Sequence, residues 1–204
     1  MYANIFELNK CLKDCISYCE QYPDREHSQF YGPLLRDAQR QLNQSTERAN
    51  KEFAHWRHEN RDDMLAWKHL SKELAATQRD LRRVNAIGFF DQKVDYWDRE
   101  QLLTAVREML TYLKKRSDDI DFAAKRIKAL ERQRSKAQSE VSEADHALGE
   151  YVRFSKMRSE ALMTTKDTIA NFRKTLRREL TVADDDYQGI RWPQQVSPDN
   201  QLLS

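Results

Sequence analysis

Apolar residues recur in alternating steps of three and four along most of the chain, the spacing that lays one stripe down the side of an α-helix. The first stripe runs through Ile5, Leu8, Leu12, Cys15, Cys19 and Tyr22 and stops at Pro23. These are heptad a and d positions, so residues 1–22 are expected to form an amphipathic helix. The next stretch carries Asp24, Ser28, Gly32 and two prolines. It reads as a loop over 23–32, with Pro33 opening the following helix, where its missing N–H costs least.

From Pro33 to about Ala86 there is neither glycine nor further proline. Leu35, Ala38, Leu42, Ser45, Ala49, Phe53, Trp56, Asn60, Met64, Trp67, Leu70, Leu74, Thr77, Leu81 and Val84 mark one face of a single long helix, roughly 80 Å from end to end at 1.5 Å per residue. Heptads are strict as far as Ala49; beyond it Trp56 and Trp67 stand eleven apart, a step that relaxes a left-handed supercoil. Gly88 suits a helix end, and Phe89 and Phe90 beside it supply an apolar corner, so the tip of a hairpin is expected near 87–97. Asp98, followed by Glu100 and Gln101, is a capping signal for the return helix, with Asp91 as an alternative start.

The return stripe runs from Leu103, Val106, Leu110, Leu113 and Ile120 through Ala137, Val141, Ala144, Leu148 and Tyr151 to Ile169, Phe172, Leu176 and Leu180. An unbroken helix over 98–181 would reach on the order of 125 Å. A kink or turn is therefore expected, at Ser117-Asp118-Asp119 or near Gly149. Past Thr181 the triple Asp184–Asp186, Gly189, Pro193 and Pro198 predict an extended tail over 182–204. The fold expected is all-α: an elongated antiparallel coiled-coil hairpin over 33–181, preceded by a short helix and followed by the tail.

Composition narrows the picture. Charged residues are 33% of the chain, and glycine and proline occur four times each in 204 residues. With a mean hydropathy of -0.92, the apolar side chains must be buried as narrow stripes between helices rather than in one thick core. The formal net charge is only +2, from 35 basic and 33 acidic residues, which demands no polyanionic partner. No apolar run approaches the length of a membrane span, and the first residues lack a basic and an apolar signal region. The expected setting is the cytoplasm.

Chemistry has few candidates. Cys11, Cys15 and Cys19 stand one turn apart on a helix flank; they would hold a soft metal only if a second helix or copy completed the shell, and the simpler reading is that they serve as small apolar residues beside Leu8 and Leu12. Glu52 with His55 and Glu143 with His146 have the Glu-x-x-His spacing of di-metal bundles. However, at 100° per residue Glu143 and His146 fall roughly opposite the Ala144–Leu148 stripe, and His55 is turned away from Phe53 and Trp56. His55-Trp56-Arg57-His58-Glu59 lacks the spacing of a zinc-protease helix, and no phosphate-binding glycine loop is present. Neither enzymatic activity nor a cofactor is expected.

Basic clusters, above all Arg173, Lys174, Arg177 and Arg178, offer an anionic partner or nucleic acid a row of cations. Interleaved acids give the same pattern on a solvated helix face. What remains is a scaffold, adaptor or assembly subunit acting through helix–helix contacts, with itself or with a helical partner. Trp56, Trp67, Phe89, Phe90, Leu110, Leu113, Phe172, Leu176 and Trp192 are its candidate packing or partner contacts, Trp192 as part of a short docking motif in the tail.

Overall fold

The computed structural model describes residues 5–84, 97–180 and 188–192. Among them are four helices and no strand: α1 (Ile5–Gln21), α2 (Glu26–Arg83), α3 (Arg99–Lys115) and α4 (Ala123–Glu179). The class is all-α, and α2 and α4 pack against each other as the arms of a helical hairpin. The expected tip residues, Phe89 and Phe90 included, and most of the tail lie outside the described residues.

The chain forms two compact units, one of residues 1–51 with 152–204 and one of residues 52–151. Each is a short helix laid on stretches of both long ones. In the first unit, Leu8, Cys11, Leu12, Cys15, Tyr18 and Cys19 of α1 meet Leu35, Ala38 and Leu42 of α2 and Ile169, Phe172 and Leu176 of α4. In the second, Ala66, Trp67, Leu70, Leu74 and Leu81 of α2 enclose a core with Leu102, Val106, Met109, Leu110 and Leu113 of α3 and Ala123, Leu130 and Ala137 of α4. The two arms run antiparallel in both, since early α2 meets late α4 in one and late α2 meets early α4 in the other.

One boundary differs from the sequence expectation. There is no loop over 23–32: α2 begins at Glu26, and Pro33 lies inside it. The turn is only Tyr22–Arg25, tied by the Ser28 and Gln29 N–H groups donating to the Arg25 carbonyl at 3.0 and 3.1 Å. The reason is local. Pro33 costs the helix a single bond, and Gln29, whose carbonyl loses its partner there, is exposed to water.

The break in the return arm falls at the Ser117-Asp118-Asp119 candidate. The Arg116 N–H closes α3 on the Leu113 carbonyl at 3.2 Å, the Asp119 N–H bonds the Arg116 carbonyl at 3.1 Å, and Ile120 is buried beneath the turn. Gly149 continues as α-helix. Asp98 caps α3 as its sequence signal indicated, its carboxylate accepting from the Gln101 N–H at 2.9 Å.

Candidate partner-binding site

The first unit holds most of the unusual chemistry. Its cysteines are buried on the inner face of α1, at 0%, 0% and 4% exposure, with the Cys11 and Cys15 sulfurs 3.9 Å apart. Their neighbours are Leu8, Leu12, Leu35 and Phe172, so this row fills the core as small apolar side chains. The Cys11 contact and burial together push the Cys15 thiol far up, and burial raises that of Cys19. Neither is set up as a thiolate ligand or nucleophile.

Beside them, His27 is buried between the rings of Tyr18 and Phe172. Arg25 donates to the Tyr18 hydroxyl at 2.6 Å, and that hydroxyl is 3.1 Å from His27 Nε2. Nδ1 faces the Glu179 carboxylate. This chain joins the α1–α2 turn to the end of α4.

The tail closes over the same end of the unit. Ile190 is buried in the core, and Arg191 clamps Asp14 of α1: its Nε and Nη2 each donate at 2.8 Å, and its backbone N–H donates to the same carboxylate at 3.1 Å. The Arg191 guanidinium and N–H hold the Asp14 carboxyl below its ordinary range against the opposing effect of burial. Trp192 packs half-buried on the core, with the Arg173 guanidinium 5.1 Å from its ring centre. The expected docking residue Trp192 is therefore placed against its own chain.

Of the other expected contact residues, Trp67, Leu110, Leu113, Phe172 and Leu176 are all interior. They pack within the single chain and present no face to a partner. Trp67 also donates to Asp63 at 2.8 Å, where Arg99 pairs with the same carboxylate and lies over the indole. Trp56 is half-buried, stacked on Tyr151 at 5.8 Å beside Phe53. Among the expected anion ligands, Lys174, Arg177 and Arg178 are exposed, while Arg173 is half-buried under Trp192.

In the second unit, carboxylate oxygens of Glu59, Glu140 and Glu143 lie within 4.8 Å of one another. His55 approaches Glu59 at 3.3 Å, Lys136 approaches Glu140 at 3.9 Å, and Ser139 donates to Glu143 at 3.0 Å. The cluster thus carries its own counter-groups, and it does not unite the two Glu-x-x-His pairs. A shallow groove of about 420 Å³ is lined by Ala54, Arg57, His58, Arg61, Asp62 and Leu65 of α2 alone, a furrow on one helix rather than an enclosed reaction chamber.

Large apolar side chains nevertheless remain exposed on the long helices. On α4 within the first unit, Val152 is 57% and Met163 58% exposed. Eleven residues apart, they share a side that, at 100° per residue, points roughly opposite Phe154 and Phe172. Phe30 and Leu34 form a similar exposed pair on the first turns of α2. Sequence reasoning located neither pair, because the stripe facing the core dominates the pattern; Asp14 and Arg191 were equally hidden, being 177 residues apart.

No family model matches the chain, and neither a curated protein nor a solved structure gives a significant match to it.

Proposed function

We propose that this protein is a non-enzymatic helical scaffold or assembly subunit that joins other helices through coiled-coil contacts, a second copy of itself first among them. The observation that carries this reading is the outward edge of α4, where Val152 and Met163 stay more than half exposed while Phe154 and Phe172, on the opposite side of the helix, are buried. Two such residues on one side of a helix give a facing helix the apolar seam that knobs-into-holes packing needs. The buried, unpaired cysteines suit a reducing compartment such as the cytoplasm.

Light scattering over a range of concentrations tests the reading. The wild-type chain is expected to exceed 24.3 kDa, and Val152→Glu/Met163→Glu to restore that monomer mass with unchanged helix content. A wild-type mass of one chain at every concentration would overturn the self-assembly.

A further inference from the structure

The charges of α2 are sorted by side. Arg57, Arg61, Lys68, Lys72, Arg79 and Arg83 are all exposed, and at 100° per residue they fall within an arc of roughly 80° on the helix. Each of the six acids of residues 52–83 lies roughly 100° or more from the centre of that arc. Those acids are engaged on the flanks: Asp63 by Arg99, Glu73 and Asp80 by Arg126, and Glu59 and Asp62 by the histidines one turn before them. Arg83 keeps a 3.6 Å contact with Asp80 while its side chain is 81% exposed, and Arg57 leans over Phe53. Among the described residues no ion pair engages Arg61, Lys68, Lys72 or Arg79. Acids that are interleaved in the sequence are thus not interleaved on this face.

The cations also repeat. Arg57, Lys68 and Arg79 stand eleven apart, as do Arg61, Lys72 and Arg83, so they form three pairs, each spanning one turn, with roughly 17 Å between successive pairs. The outer pairs are therefore roughly 33 Å apart, close to the turn of about 34–36 Å of duplex DNA. We propose that this face of α2 binds double-stranded DNA through its phosphates, without reading base sequence. On a rod laid along a duplex, the outer pairs meet one strand a turn apart and the middle pair meets the other strand between them. Ala54, Leu65 and Ala75 complete the arc, so its centre offers neither the apolar seam that a facing helix needs nor the broad apolar side of a membrane-surface helix. A phosphate backbone needs only unopposed cations in a row. The face lies wholly in the second unit and shares no residue with the α4 edge.

Fluorescence anisotropy of a labelled DNA duplex of arbitrary sequence, long enough for about two turns, tests this with the full chain in about 50 to about 200 mM salt. Neutralising one phosphate with each of the six cations predicts a slope of log affinity against log salt of about −5, and a loss of about a thousandfold across that range. Arg61→Gln/Lys72→Gln/Arg79→Gln is expected to reduce the slope to about −3, whereas Lys174→Gln/Arg177→Gln/Arg178→Gln on α4 leaves it unchanged. Glutamine is a good helix former, and circular dichroism should show the same helix content in both variants.

Absence of binding at the lowest salt overturns the proposal, and so does an equal change of slope in the two triple variants, which would assign the contact to basic charge at large. Polyglutamate as an unlabelled competitor separates a phosphate backbone from an acidic protein. It is expected to displace the duplex only at about tenfold or greater excess of charge. Displacement at equal charge, or equally tight binding of a single strand of the same sequence, would give the face to another polyanion and overturn its assignment to the duplex.

Discussion

Asp14 and the cysteines share α1, yet the same helix gives them opposite ionisation. Asp14 is held as a carboxylate by Arg191, and Cys15 is held as a thiol by its Cys11 contact and by burial. The lowered Asp14 pKa means that its contribution to stability is present above the ordinary aspartate value of 3.8 and is lost as pH falls through the lower folded value. The stability difference between wild type and Asp14→Asn should hence be constant from neutrality to about pH 5 and shrink below the ordinary carboxylate range. Denaturant titrations at stepped pH check this. For the cysteines, alkylation by iodoacetamide in native buffer is expected to be slow at all three and to become complete once urea unfolds the chain, because the sulfurs are enclosed and, at Cys15 and Cys19, the reactive thiolate is also suppressed. Mass spectrometry reads the extent of labelling.

At the scale of the helices, the amphipathic pattern was enough to predict the class, the two long arms and the Asp98 cap. Each is set by periodicity or by contacts within a few residues. The start of α2 was not legible, since Ser28, Gly32 and Pro33 form a strong local signal for a loop, yet all three lie inside the helix, with Ser28 buried. The site was less legible still. Trp67 and Leu110 look alike in sequence whether they face a partner or a core, and only the arrangement of three helices assigns them to the interior. Gly149 offers a direct test at this scale. It lies within α4 with nothing within 4 Å of a Cβ, so Gly149→Ala should stabilise the protein by roughly 1 kcal/mol through helix propensity alone. Thermal unfolding would show the rise in Tm; a fall would mean that the helix needs glycine there.

For the molecule as a whole, the two units differ in how far apart in sequence their contacts lie. In the second, Asp63 meets Arg99 across 36 residues, and Arg126 bridges Asp80 and Glu73 across 46 and 53. In the first, Tyr31 meets Thr175 across 144 and Asp14 meets Arg191 across 177. Closing the longer loops costs only about 1 kcal/mol more in chain entropy, but contacts so distant in sequence slow folding. Amides of α3 are accordingly expected to gain protection before those of α1 when the chain refolds, in pulse-labelled hydrogen exchange read by mass spectrometry.

Residues 52–151 interrupt the first unit in sequence as a continuous insertion. On the ribosome the inserted unit can close as soon as its last turn has emerged, whereas the core of the first unit, begun by α1 on Leu35, Ala38 and Leu42, stays open until Ile169, Phe172, Leu176 and finally Ile190 have been made. The nascent chain therefore carries a half-built apolar core on α1 and early α2 while residues 52–151 are made, a natural target for a holding chaperone and a stretch exposed to misassembly between neighbouring nascent chains.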